Sequence, residues 1–394
     1  MNINILRSSF QTDEFVWNEY AELLGRLKNE CRAEIQINGN QMPDVVMIAT
    51  GGVENMFKTL FTGNGPVTLI ADGRNNSLAA ALEILTWLEG QGIEGRILHG
   101  TNDEIIATFV ETQHTTSLQG VRIGLFGQPS DWLIASGVDR NYLLEHFGVE
   151  TIDIDLQRLM DGIKSVSNND AAKVAQAIVK RAQDVKEPSC ADMLEAAKAY
   201  LAIKKICQEE RLDAMTIRCF DIVKACGTTS CLALALLNDE GIVAGCEGDM
   251  QTLMSMLLVK RLCGAEAFMA NPSQLTETTT MLAHCTIPLK MCDELTLRSH
   301  FESGIGVAIQ GVLPMTNYTI FKWGGPKLDR YFVTEAQAVE TPYSNHFCRT
   351  QITLNVDLRP YLLQHSIGNH HVIIKGRHAE EIKRFMDCYG PKGQ

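Results

Sequence analysis

The stretch Asn238-Asp239-Glu240-Gly241-Ile242-Val243-Ala244-Gly245-Cys246-Glu247-Gly248-Asp249-Met250 decides how the rest of the chain reads. A polar Asn-Asp-Glu-Gly turn leads into a short apolar strand. Two carboxylates follow, separated by a glycine, and residues 251–263 then form an apolar helix. Strand ends of this kind are where α/β folds place chemistry. Glu247 and Asp249 are two apart, so on a continued strand both would point to one face. Gly248 between them lets the backbone approach a ligand closely. Two oxygens on one side suit a divalent cation, or acid/base work if their pKa values are pushed apart. Asp249 also stands where a helix cap belongs, and Asp is a favoured cap residue.

Upstream, strands and helices alternate. Asp44-Val45-Val46-Met47-Ile48-Ala49-Thr50, residues 67–71 and residues 95–99 read as buried strands. The helix at 78–90 carries Leu78, Ala81, Leu82, Leu85 and Leu88 at a 3.6-residue period. Residues 1–40 read as a lead-in holding one helix, 15–27. Alternation with buried strands predicts parallel α/β sheets. Gly51-Gly52 follows a strand, but the chain has neither GxGxxG nor GxxxxGK[ST], so no nucleotide site is expected. A second α/β unit begins at Gly120. Its first strand runs into Gln128-Pro129-Ser130-Asp131-Trp132, where an aromatic beside Ser130 suits a sugar; a buried Trp with a helix cap is the plainer alternative. A strand at 213–220 delivers Asp221. Beyond residue 286 helices are scarce and short β runs alternate, which predicts an antiparallel β domain. Its last turn carries Gly368-Asn369-His370-His371.

The totals narrow the function. The chain has 394 residues, enough for two or three domains. A net charge of −12 argues against a nucleic-acid or anionic-membrane surface. No apolar run is long enough for a membrane span. The start lacks a signal-peptide layout, and the 12 cysteines include no CxxC pair, which together predict a reducing cytoplasm. Cys219, Cys226, Cys231 and Cys246 read as small apolar residues rather than ligands. Asp221, Glu247 with Asp249, and His370 or His371 thus stand at strand ends. That carboxylate and imidazole set suits Mn²⁺, Mg²⁺, Co²⁺ or Fe²⁺.

The chain resembles the L-fucose/L-arabinose isomerase superfamily, and more closely its shorter fucose isomerase-like branch. The resemblance runs through Asn76-Ser77-Leu78-Ala79-Ala80-Ala81-Leu82-Glu83, Pro129-Ser130-Asp131-Trp132, Leu237-Asn238-Asp239-Glu240-Gly241 and Cys246-Glu247-Gly248-Asp249. It continues in Phe268-Met269-Ala270-Asn271-Pro272-Ser273, Ala283-His284-Cys285 and Gly368-Asn369-His370-His371. It implies two Rossmann-like domains, 1–118 and 119–285, and a β-barrel-like domain, 286–394. It further implies Mn²⁺ (or Mg²⁺ or Co²⁺) held by two acids and a histidine: Asp221, Glu247 or Asp249, and His370 or His371. Asp221 departs from the glutamate usual there. The implied reaction is aldose–ketose isomerisation of a pentose or 6-deoxyhexose through an enediol. Asp221 and Glu247 or Asp249 would move the protons, and Ser130, Trp132 and Asn271 would contact sugar. A homotrimer or homohexamer is implied. A sugar-binding protein without turnover, or other metal-assisted sugar chemistry on the same fold, are the alternatives.

Overall fold

The computed structural model describes residues 2–31, 33–61, 67–93, 95–116 and 118–389, with backbone alone at 110–116 and 387–389. The chain divides into two compact units, residues 1–114 and 115–394.

The first unit is built on five parallel strands, β1 (Asn2–Leu6), β2 (Glu34–Ile37), β3 (Val45–Ile48), β4 (Val67–Ile70) and β5 (Gly95–Leu98), in the order β2-β1-β3-β4-β5. Strand alternation sorts the side chains onto two faces. Ile3, Ile5, Val45 and Met47 pack with Leu23, Leu24, Leu27 and Phe109. Leu6, Val46 and Ile48 pack on the other face with Phe57, Ala81, Ile84 and Leu88. A sheet covered on both faces needs apolar residues at successive positions, and all four of Val45–Ile48 are buried. The expected lead-in is more ordered than its sequence suggested: Asn2–Leu6 is an inner strand, and the helical stretch is two helices, Asp13–Glu19 and Ala21–Asn29, meeting at Tyr20.

In the second unit, β6 (Arg122–Phe126), β7 (Glu150–Ile154), β9 (Ala214–Ile217) and β10 (Val243–Cys246) form a parallel sheet in the order β10-β9-β6-β7. β8 (Asp184–Val185), β13 (Glu294–Arg298) and β14 (Ala308–Val312) form a small sheet. A closed antiparallel barrel joins β11 (Ala267–Leu275), β12 (Thr280–His284), β15 (Asn317–Gly324), β16 (Arg330–Glu340), β17 (Thr350–Leu354) and β18 (His371–Lys375), running β11-β12-β17-β16-β15-β18. Two of its strands, β11 and β12, precede residue 286, because pairing around the barrel, not the change in composition, sets where it begins.

The helix Met250–Cys263 sits between this sheet and the barrel. Its residues from Met250 to Val259 are all buried, as a helix packed on every side must be. One core contains Leu253 and Leu257 of the helix, Met215 and Ile217 of the sheet, and Phe321, Val372 and Ile374 of the barrel. Its buried polar residues are all bonded. Gln251 Nε2 donates to the Ala135 and Gly137 carbonyls, and Ser255 Oγ donates to the Gln251 carbonyl. This helix therefore fixes the end of β10 against the barrel. Among the described residues, no helix is long and apolar enough to cross a membrane.

Candidate metal centre

The opening stretch builds one side of the site. Asn238 ends the buried face of the helix Cys231–Glu240, and Gly241, at φ 96°, caps it in the left-handed region that a glycine adopts without cost. The Asn238 amide then clasps β10: its Oδ1 accepts from Ala244 N at 3.0 Å, and its Nδ2 donates to the Ala244 and Leu234 carbonyls at 2.8 Å. After Cys246 the backbone reverses through two left-handed residues, Glu247 (φ 62°) and Gly248 (φ 78°). A Cβ on Gly248 would lie 2.6 Å from Pro129 Cα, so only glycine fits. A glutamate in this conformation costs on the order of 1–3 kcal/mol, and such strain clusters at functional sites. Ser130 N donates to the Glu247 carbonyl at 2.9 Å and holds the reversal.

The reversal separates the two carboxylates onto opposite edges of one imidazole. Asp249 caps the helix Met250–Cys263: its Oδ1 accepts from Thr252 N at 2.8 Å, and its Oδ2 accepts from Thr252 Oγ1 at 2.7 Å. The same Oδ2 accepts from His370 Nδ1 at 2.9 Å. On the far side of the ring, His370 Nε2 faces Glu247 Oε1 at 3.7 Å. His284 Nε2, at the end of β12, faces the same oxygen at 3.9 Å. The two imidazole rings lie 5.3 Å apart at 67°. Glu247, His284 and His370 thus offer one carboxylate oxygen and two nitrogens, all within 4.8 Å of one another.

Two observations fit this group to a cation. His370 Nε2 is buried with no hydrogen-bond partner, while Nδ1 is committed to Asp249. A buried orphan of this kind is costly unless something meets its lone pair. The O···N gaps of 3.7 and 3.9 Å are too long for hydrogen bonds and leave room for a shared ion. Asp249 supplies the carboxylate that commonly orients a metal-bound histidine. One carboxylate with two imidazoles is a ligand set of first-row divalent metals.

Electrostatics agree with that division. Burial raises the Glu247 carboxyl, but His370, His284 and the Trp132 indole outweigh it and bring its pKa down to about 2. Burial opposes the Asp249 charge too, yet Lys322 and His370 hold it well below the usual carboxylate range. Lys322 is wholly buried, 3.8 Å from Asp249 Oδ2, and donates to Thr252 Oγ1 at 2.6 Å. Burial lowers Lys322, with Asp249 opposing. Burial also disfavours the His370 cation, but its hydrogen bond to Asp249 and the charges of Asp249 and Glu247 prevail and raise it. Burial first, then the His370 charge, pushes His284 down to about 3.

The other residues singled out from sequence fall as follows. Trp132 Nε1 donates to Glu247 Oε2 at 2.6 Å, and its ring, 52% exposed, meets Phe220 edge-on at 5.1 Å. Ser130 lies in the same loop with a buried, unpartnered hydroxyl. Asn271 pairs with Ala283 across β11 and β12, next to His284. His371, the first residue of β18, points the opposite way from His370, as alternation requires. Its Nε2 meets Tyr361 Oη at 2.9 Å, and burial drives it down to about 3. Asp221 stands apart from the cluster. β9 stops at Ile217, so Asp221 falls in the first turn of the helix Cys219–Cys226 and pairs with Arg218 Nε at 2.9 Å. Arg218 in turn holds Asp131.

His284 is not among the ligands the sequence points to, although it stands in the Ala283-His284-Cys285 block. A polar residue closing an apolar strand is the available signal. His300 and Glu302 carry no such signal. The His300 ring lies 5.6 Å from Phe220, and burial lowers its pKa. Burial and the Glu247 charge raise Glu302.

The neutral burial of His284 and His371 has a consequence for the metal-free protein. Both have folded pKa values near 3, against about 6.5 in an unfolded chain. Below about pH 6.5 the unfolded chain binds two protons that the fold refuses, so stability falls with pH. From these two rings the slope approaches about 2.7 kcal/mol per pH unit, two protons at about 1.36 each, and His300, also lowered by burial, adds to it in the same direction. Glu247 acts in the same direction below about pH 4.5, where its stabilising charge is progressively lost. His370, raised, acts oppositely and only above about pH 6.5. Urea unfolding between pH 6.5 and 4.5 is expected to show this loss, with a smaller slope in His284→Asn. A flat profile would contradict the neutral burial of these rings.

No family model matches the chain. Its sequence is similar to a sulfoquinovose isomerase of Alkalicoccus urumqiensis, 22% identical over 278 residues that cover 68% of this chain and 62% of the relative. It is similar to a sulfoquinovose isomerase of Clostridium sp. (strain MSTE9), 25% identical over 223 residues, 54% of this chain and 49% of the relative. A third, from Priestia megaterium, is 26% identical over 200 residues, 47% of this chain and 45% of the relative. The chain thus spans between somewhat under half and three fifths of the curated relatives it matches.

Proposed function

We propose that the chain is a metal-dependent aldose–ketose isomerase acting on an aldose of the pentose or 6-deoxyhexose class. The observation that carries this reading is the convergence of Glu247, His284 and the orphaned His370 Nε2. The relatives' name supports the reaction type and favours one kind of substrate within the class, since sulfoquinovose is a 6-deoxyhexose with a sulfonate on C6. Two imidazoles in the ligand set favour Mn²⁺, Co²⁺, Fe²⁺ or Zn²⁺ over Mg²⁺.

When bound, the cation supplies Lewis-acid polarisation of the sugar's carbonyl and lowers the cost of the enediol. The chain's own residues do the rest. Asp249, with Lys322 behind it, keeps His370 Nδ1 protonated and its Nε2 turned to the site. Trp132 fixes the second oxygen of Glu247 and, with Phe220, offers an apolar wall to a sugar face. Isomerisation moves one proton from C2 to C1 and another between the two oxygens. Asp249 has no solvent-exposed surface and acts through His370, not on the sugar. Glu302, whose carboxyl burial and the Glu247 charge raise, and His300, two residues before it, are candidates to carry the carbon and hydroxyl protons. A positioned acid/base of this kind contributes about 10²–10⁴-fold.

Incubation in D₂O with Mn²⁺ or Co²⁺ and a panel of pentoses, 6-deoxyhexoses and sulfoquinovose tests the proposal. Mass spectrometry is expected to find one deuterium gained by one sugar class, together with ketose formation. Chelation abolishes both and the cation restores them. No exchange with any sugar in the presence of bound cation would leave a binding protein or another metal-assisted reaction.

A further inference from the structure

A second set of metal-ligating side chains lies at the far end of the helix that starts at Asp249. Cys263 is the last residue of that helix, and Gly264 caps it. His378 precedes the C-terminal helix Ala379–Tyr389, and Glu381 sits in that helix's first turn. Cys263 Sγ, a His378 ring nitrogen and a Glu381 oxygen all lie within 4.8 Å of one another. The helix has 14 residues, so this cluster is about 20 Å along its axis from the Glu247 site.

Hydrogen-bond accounting makes the cluster unusual. His378 Nε2 lies 3.2 Å from the Lys375 carbonyl, which only accepts, so Nε2 carries the proton. When the ring is neutral, Nδ1 presents a lone pair. It faces Glu381 Oε2, another acceptor, at 3.3 Å. Two acceptors do not face each other at that distance unless something positive, a second ring proton or a metal cation, stands between them. Anchoring one ring nitrogen on a backbone carbonyl while the other faces a ligand position is how metal-binding histidines are oriented. The ring is further seated by its backbone: His378 N donates to Thr319 Oγ1 at 2.9 Å. Gly376 leaves it space, since a Cβ there would stand 2.8 Å from Nε2. Both side chains keep partial exposure, 23% for His378 and 32% for Glu381, so an ion can reach them.

We propose that Cys263, His378 and Glu381 form a second cation site, of Zn²⁺ or Co²⁺ type, that ties the C-terminal helix to the buried helix Met250–Cys263. Thiolate, imidazole and carboxylate are the borderline-soft ligand set that selects such ions. On binding, the cation takes the place of the thiol proton, which leaves to solvent, and S–metal, N–metal and O–metal bonds form with no change of oxidation state. The site is independent of the isomerase reading.

Co²⁺ is the probe, added to chelator-stripped protein under a reducing agent. A near-ultraviolet thiolate-to-cobalt charge-transfer band is expected, saturating at one equivalent, with a rise in the thermal midpoint. The Glu247 site has no thiolate ligand, so a Glu247→Gln/His370→Ala variant keeps the band. Cys263→Ser and His378→Ala lose it, while their metal-free circular dichroism and midpoints match those of the metal-free parent. Absence of any band would show that a proton, not a metal, stands between His378 and Glu381. A band that survives in Cys263→Ser would assign it to another thiol. Either result overturns the proposal.

Discussion

Replacing Glu247 with glutamine is expected to lower metal-dependent sugar turnover by about 10³-fold or more, the several kcal/mol that a Lewis acid contributes. Glu247 is the one carboxylate in the cluster, and both imidazoles face its Oε1. Glutamine keeps the shape, the left-handed backbone and an oxygen for the Trp132 indole. It removes the charge that attracts the cation. The fold should therefore be retained while kcat and cation affinity both collapse. Steady-state kinetics beside calorimetric Mn²⁺ titration would check this. Turnover within tenfold of the parent would mean that the cation, if bound, is held elsewhere.

The second large effect is on stability. Asp249→Ala is expected to cost about 3–5 kcal/mol, because it strands a buried charge. Lys322 would lose its counter-ion at full burial, His370 Nδ1 its acceptor, and the helix Met250–Cys263 its cap. Lys322→Met strands the carboxylate in turn, although Thr252 and His370 still hold it. The double variant Asp249→Ala/Lys322→Met removes both charges together. Its loss in urea unfolding should be smaller than the sum of the two single losses by about 1–3 kcal/mol. Strict additivity would show that the buried pair is not coupled.

These two residues show what the sequence could carry. The fold class was legible: buried strands between helices, then short β runs, become two parallel sheets and an antiparallel barrel. The carboxylates of the Cys246-Glu247-Gly248-Asp249 block were legible as chemistry, and Asp249 was legible as a cap. What sequence could not divide was their work. That division rests on the left-handed turn at Glu247 and Gly248, which puts one oxygen on each side of His370. The choice between His370 and His371 needed the register of β18. His284 was hidden because a lone histidine after Met281-Leu282-Ala283 reads as core. Asp221 stood out for the opposite reason. An extended strand to 220 would have delivered it to the mouth of the sheet, but the chain turns helical at Cys219, and Arg218 takes the carboxylate. β1 was missed because Asn2 and Asn4 interrupt a short apolar stretch, and its inner position is set by pairing with two distant strands.

The resemblance implied two acids and one histidine as ligands, whereas the cluster is one acid and two histidines. Cation affinity in His284→Asn and Asp221→Asn, compared by calorimetry with Mn²⁺ and Co²⁺, separates the two sets most directly. His284→Asn is expected to weaken binding by more than the about 10–100-fold that losing an outer partner costs. Asp221→Asn, whose carboxylate is engaged by Arg218, is expected to leave affinity unchanged. Binding that survives in His284→Asn and disappears in Asp221→Asn would contradict a centre made of one acid and two histidines.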